Sequence, residues 1–106
     1  MMTADQYRKA IAALGLSLGS AARVFGINER TSRRFATGND IPWYLEMLIN
    51  IMVAKGVAPD EIKDIAVHNH MPRAASQLFH LMERRKVMPG EALAIGFPTG
   101  REKQAQ

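Results

Sequence analysis

The chain has 106 residues, 47% of them hydrophobic, which allows one modest core rather than several large domains. It contains no cysteine, which excludes a disulfide framework, a thiolate metal site and a cysteine nucleophile, and fits a reducing cytoplasm. The formal net charge of +4 comes entirely from residues 1–38, where six basic side chains outnumber two acidic ones, because residues 39–106 carry eight of each. A basic segment of this kind is expected where a chain contacts a polyanion.

The first predicted helix covers about residues 3–14. Thr3 is its expected N-cap, and an apolar stripe at helical spacing follows, formed by Tyr7, Ala10, Ile11 and Leu14. The same segment has features of a secretory signal, since two basic residues precede an apolar run and a group of small residues. Asp5 in the basic region and Gly15 and Ser17 in the apolar run argue against a signal, so a helix is the preferred interpretation.

Two short helices separated by a glycine turn are predicted next. The second helix covers about residues 18–25, and Gly26 follows it where a helix end favours left-handed backbone. Asn28 is a natural N-cap for a third helix over about residues 29–37, and Glu29 suits the positive first turn of that helix.

The remaining predicted elements are three helices and an ambiguous segment. Pro42 suits the first position of a fourth, very apolar helix that ends at Gly56 and lies at the centre of a bundle or partly against another subunit. This apolar stretch is too short to cross a bilayer, so no membrane contact is predicted. A fifth helix covers about residues 59–67 and a sixth about 72–86, with an apolar stripe of Ala75, Leu78, Phe79 and Met82. Residues 87–97 allow a loop, an edge strand or a single helical turn.

Several residues of the N-terminal half carry a resemblance to a known family. They are Ala22, Gly26, the run Asn28-Glu29-Arg30-Thr31, then Arg33-Arg34-Phe35, and the exit from Gly38 to Ile41 and Pro42. On the basis of these residues, the segment covering about residues 3–55 resembles the lambda-repressor and Cro-like helix-turn-helix family. The resemblance implies a repressor-like regulator of transcription that binds double-stranded DNA in sequence-specific fashion, commonly as a homodimer on a palindromic operator.

The expected organisation is all-α, a compact helical bundle of five to six helices. Residues 1–56 are predicted to form a helix-turn-helix DNA-binding domain, residues 57–96 a helical extension for dimerisation, and residues 97–106 a flexible tail. An alternative function is a protein-interaction module, antitoxin-like or an adaptor, in which the amphipathic helix at about residues 72–86 binds a partner.

Carried over residue by residue, the resemblance implies base contacts from Asn28, Glu29, Arg30 and Arg33. Arg33 is the first choice because its planar guanidinium can bind both acceptors of a guanine, while Glu29 could accept from a cytosine amine or repel a phosphate. Phosphate contacts are expected from Ser20, Arg23, Arg34 and Thr37. The competing interpretation is that these are ordinary solvated helix positions.

Ser32 departs from the family pattern, which has a branched apolar residue at this position. We expect Ser32 to face the core, with its hydroxyl bonding back to the carbonyl of Asn28. On that expectation, a Ser32→Val substitution would fill apolar space and stabilise the fold by about 1 kcal/mol.

The predicted dimer interface consists of Leu78, Phe79 and Met82, because so short a chain has few ways to cover both this stripe and the fourth helix. The sequence contains neither a glycine-flanked nucleophilic serine nor a recognisable acid/base pair, which predicts a protein that is not an enzyme. His68, His70 and His80 lack a carboxylate or thiolate placed to complete a tetrahedral set, so no metal or other cofactor is predicted.

Overall fold

The computed structural model describes residues 2–67 and 70–96, and in that part of the chain all regular secondary structure is helical. Seven helices occur there: α1 (Ala4–Ala13), α2 (Leu18–Phe25), α3 (Glu29–Phe35), α4 (Trp43–Lys55), α5 (Pro59–Lys63), α6 (Arg73–Arg85) and α7 (Pro89–Gly96). The all-α class is therefore confirmed. The segment left open between loop, strand and single turn contains α7, and the predicted tail at 97–106 lies outside the described residues.

Capping residues determine where the first helices begin. The Thr3 hydroxyl accepts a hydrogen bond from the Gln6 backbone N–H at 3.1 Å, and Gln6 Oε1 accepts from the Thr3 N–H at 2.9 Å. Ser17 and Ser20 form the same reciprocal arrangement at the start of α2. Each pair satisfies backbone donors that have no partner inside the helix, so both starts are set by local sequence.

Several helix boundaries differ from the sequence prediction, among them the end of α3, which lies at Phe35 instead of about residue 37. Pro42 and Pro72 are the N-caps of α4 and α6, one position before the first helical residue. Helix α5 ends at Lys63, with Asp64 as its C-cap, instead of continuing to about residue 67. Residue 65 is already outside the helix, although the Ile65 side chain is buried in the core.

A single hydrophobic cluster connects α1 to α7, and α4 lies at its centre. Helix α4 packs against α1, α6 and α7. Its buried residues are Leu45, Glu46, Met47, Leu48, Ile49, Ile51 and Met52. The cluster contains residues from both the predicted DNA-binding segment and the predicted extension. Trp43 at the start of α4 is 52% exposed and packs edge-on against Tyr44, with ring centroids 5.7 Å apart.

The buried face of α6 differs from the predicted stripe. Ala75 and Leu78 are buried as expected, but Leu81 takes the place predicted for Phe79, which is 47% exposed. The face that α6 turns to the core is centred on Leu78 and also contains Ala74 and Gln77, and this rotation carries Phe79 toward solvent. In the described part of the chain, no helix is long and apolar enough to cross a membrane.

Candidate nucleic-acid interface

The α2–α3 unit, defined here as residues 18–35, consists of two short helices packed against each other. Gly26 caps α2 with a positive φ of 70°, and the Ile27 N–H then bonds to the Ala22 carbonyl at 3.0 Å. Asn28 starts α3, because its Oδ1 accepts from the Thr31 N–H at 2.7 Å. The chain thus changes direction within three residues, each of a type that suits its position.

Ser32 and Phe35 anchor α3 to the first helix. Ser32 is fully buried, and its Oγ lies 2.8 Å from the hydroxyl oxygen of Tyr7. The rings of Tyr7 and Phe35 meet edge-on, with centroids 5.7 Å apart. Burial raises the pKa of the Tyr7 phenol, and the hydrogen bond with Ser32 acts in the opposite direction.

These contacts change the interpretation of Ser32. The residue faces the core, as expected, but its hydroxyl bonds to Tyr7 on another helix and not to the Asn28 carbonyl. A valine would leave the buried Tyr7 hydroxyl without this partner. With this hydrogen bond present we expect Ser32→Val to destabilise the fold, because an unpaired buried hydroxyl costs more than the added methyl groups contribute.

The opposite face of α3 is exposed and rich in charge. Glu29, Arg30, Arg33 and Arg34 are all exposed. Arg33 forms an ion pair with Glu29, one helical turn earlier. In the described part of the chain, no ion pair or hydrogen bond engages the guanidinium groups of Arg30 and Arg34. Of the predicted base contacts, three therefore lie on one exposed face, and Asn28 lies at the start of the helix with its Oδ1 occupied by the cap.

The four predicted phosphate contacts divide into two kinds. The Ser20 hydroxyl is occupied in the cap of α2, 2.7 Å from the Ser17 hydroxyl, and the Thr37 hydroxyl donates to the Arg34 carbonyl at 3.1 Å. Arg23 is exposed and lines a cleft of about 380 Å³ together with Ser20 and Lys63. Arg23 and Arg34 therefore offer free cations within the described residues, while the two hydroxyl groups have structural roles.

Helix α6 supports the turn between α2 and α3, a contribution that the sequence analysis missed. Gln77 is fully buried, and its Nε2 donates to the carbonyl of Val24 at 2.7 Å and to that of Ile62 at 3.2 Å. Arg73 donates to the Lys63 carbonyl at 2.7 Å and lies under Gly26, where an added Cβ would stand 2.8 Å from the Arg73 Cβ. The one sequence signal for this supporting role is the presence of a polar residue, Gln77, among the apolar residues of α6.

Arg8 makes a second contact that the sequence analysis missed. Its guanidinium donates to the Ala36 carbonyl at the C-terminal end of α3 and also forms an ion pair with Asp5 at 3.4 Å. The charge of Arg8 contributes to the basic balance of residues 1–38, but the side chain fixes α3 to α1. The positive charge that remains available on the α2–α3 unit comes from its own arginines.

The residues predicted for a dimer interface are not equally accessible. Leu78 lies in the chain's own core with no exposed surface, Met82 is half-buried, and Phe79 is largely exposed. Leu78 thus cannot contribute to an interface in this conformation. The histidines do not form a cluster in the described residues, where no group of three His, Cys, Asp or Glu side chains could hold a metal ion, and His68 lies outside them.

Comparison of the chain with family models, curated proteins and solved structures gives no match, so the α2–α3 unit is interpreted from its own residues.

Proposed function

We propose that this chain is a sequence-specific DNA-binding regulator of transcription that inserts α3 into the major groove. One observation carries the proposal: α3 is held to α1 on one side by Ser32 and Phe35 and exposes a row of charged side chains on the other. An α-helix with its side chains is about 10–12 Å in diameter, which fits a major groove about 12 Å wide. The location of the net positive charge in residues 1–38 adds support.

Under this proposal the exposed side chains have two tasks. Arg30 and Arg33 lie in the first five residues of α3, the part of such a helix that approaches base edges. Arg23 on α2 and Arg34 beside the core-facing Phe35 bind phosphates, which adds affinity without selecting sequence. Asn28 keeps its amide N–H groups as donors, since the cap uses only its oxygen.

A homodimer on an inverted repeat remains part of the proposal. Two copies related by a two-fold axis would present α3 to half-sites about 34–36 Å apart, one turn of the duplex. The exposed Phe79 on α6 is the available apolar residue of the predicted interface. A protein-interaction module based on α6 has less support, because Leu78 and Leu81 are already buried within the chain.

The test is selection of bound sequences from random duplex DNA, followed by affinity measurements on the selected site. Affinity should fall with salt, with a log–log slope on the order of −3 to −4, as expected for about four Lys or Arg contacts to phosphate, of which Arg23 and Arg34 are two. Arg33→Ala should cost about 1–3 kcal/mol at the selected site and relax one base position, whereas Arg23→Ala should weaken all sequences equally. Absence of duplex binding at low salt would refute the proposal. If both variants lost affinity equally for all sequences, the assignment of Arg33 to a base contact would be refuted.

A further inference from the structure

Arg33 differs from the other arginines of the α2–α3 unit in being neutralised by a neighbour. Its guanidinium forms an ion pair with the Glu29 carboxylate, and both side chains remain more than half exposed, 66% for Arg33 and 54% for Glu29. In the described residues, Arg23, Arg30 and Arg34 have no such pair. Arg33, the first choice among the proposed base-contacting cations, is therefore the one whose charge is balanced before any DNA arrives.

The Glu29 carboxylate also lies near the start of helix α2. Gly19 is the second residue of α2, and a Cβ added to it would lie 3.5 Å from Glu29 Oε1 and 3.6 Å from its Cδ. The carboxylate belongs to the first turn of α3 and lies close enough to α2 that a side chain at Gly19 would reach van der Waals contact with it.

On the basis of the proposed function, we propose that Glu29 and Arg33 act together as one specificity-determining unit. Near a phosphate backbone the carboxylate offsets the charge of Arg33 and repels phosphate, so non-specific attachment is weakened. At the correct site the ion pair is exchanged: Arg33 donates to O6 and N7 of a guanine, and Glu29 accepts from the N4 amine of a cytosine. Discrimination then comes from a repulsive element as well as an attractive one.

The spacing of the two residues specifies the DNA sequence class. Residues four positions apart on a helix are separated by about 6 Å along the axis, close to the spacing of neighbouring or next-neighbouring base pairs at about 3.4 Å per step. The half-site should therefore contain a guanine for Arg33 and a cytosine within two base pairs of it. Thymine or guanine at the cytosine position would place an acceptor, O4 or O6, opposite the carboxylate and is disfavoured.

The decisive variant is Glu29→Gln, which keeps the size of the side chain and removes its charge. Its affinity for random duplex should rise about five- to tenfold at low salt, and its salt slope should steepen by about 0.9, the contribution of one further phosphate contact. The preference for cytosine at the Glu29 position should be lost. Glu83→Gln is the matched control, because it removes an exposed carboxylate on α6 and changes the net charge equally.

Fluorescence anisotropy on the selected site, on single-base variants of it and on random duplex separates the outcomes. If Glu29→Gln discriminates between bases as the wild type does and its affinity for random duplex is unchanged, the inference is overturned. The proposed function in DNA binding would then still stand. An equal gain in Glu83→Gln would also overturn it, since net charge alone would then explain the effect. A wild-type protein that binds no duplex would overturn both the inference and the proposed function.

Discussion

The buried hydrogen bond between Tyr7 and Ser32 allows a quantitative test of how α3 is held. Both residues lack exposed surface, and their hydroxyl oxygens are 2.8 Å apart, one on α1 and the other on α3. Ser32→Ala removes one partner and leaves the Tyr7 hydroxyl buried without this hydrogen bond. Tyr7→Phe removes the other partner and keeps the ring that packs against Phe35.

The expected magnitudes follow from the cost of an unpaired buried hydroxyl, about 1–3 kcal/mol. Ser32→Ala should therefore lower the free energy of unfolding by about 1–3 kcal/mol, and Tyr7→Phe by a similar amount. In the double variant both polar groups are absent, so its loss should be smaller than the sum of the two single losses by about 0.5–1.5 kcal/mol. For a chain of 106 residues, 1 kcal/mol corresponds to a change in melting temperature of about 4 °C.

Urea unfolding followed by circular dichroism gives these free energies, provided that the dependence on denaturant is the same in all four proteins. Ser32→Val should also destabilise, contrary to the expectation from sequence alone. Strictly additive single losses would contradict the coupling between the two hydroxyl groups. A more stable Ser32→Val protein would show that the hydrogen bond contributes less than the apolar packing it displaces.

Three further predictions concern the turn, an ion pair and the dimer. Gly56→Ala should destabilise the fold by roughly 1–2 kcal/mol through left-handed backbone strain alone, because an added Cβ there meets nothing within 4 Å. Gly26→Ala should destabilise it by more, because an added Cβ there meets an α6 side chain. Equal losses of stability in thermal melts would contradict this contact. Arg85 lowers the pKa of Glu61 mainly through a side-chain hydrogen bond, so its stabilisation is present above the ordinary carboxyl pKa of 4.5 and lost as pH falls. Glu61→Gln should therefore cost a few tenths of a kcal/mol at pH 7 and progressively less as the pH falls below 4.5, and a pH-independent loss would refute this origin. Phe79→Glu should convert a wild-type dimer into a monomer in sedimentation, and a wild-type monomer at micromolar concentration would refute the interface.

The features predicted from the sequence are those governed by neighbouring residues. Thr3, Gly26 and Asn28 act on backbone groups within a few positions, so the start of α1, the end of α2 and the start of α3 agree with prediction. The features that were missed depend on distant partners. Ser32 bonds to a residue 25 positions away, and Gln77 bonds to one 53 positions away, distances at which no local pattern identifies the partner.

The exposed face of α3 was predicted correctly in composition but not in its internal pairing. Spacing alone allows Glu29 and Arg33 to meet, since residues four positions apart are neighbours on a helix. Spacing does not decide whether the two side chains pair with each other or with solvent, and in the structure they pair with each other. The rotation of α6 that exposes Phe79 likewise depends on packing with other helices, and the apolar pattern of α6 itself fits either face.

Contacts from outside the α2–α3 unit add to the packing of α2 against α3 in positioning α3. Tyr7 and Arg8 on α1 bind the buried side and the C-terminal end of α3, while Arg73 and Gln77 on α6 bind the turn and the end of α2. A helix of seven residues is not stable by itself, so its order in the free protein depends on these contacts. If DNA then binds a helix that is already ordered, the entropic cost of ordering it does not reduce affinity. Loss of Gln77 should accordingly weaken binding to every DNA sequence equally, in contrast to the base-specific effect expected for Arg33.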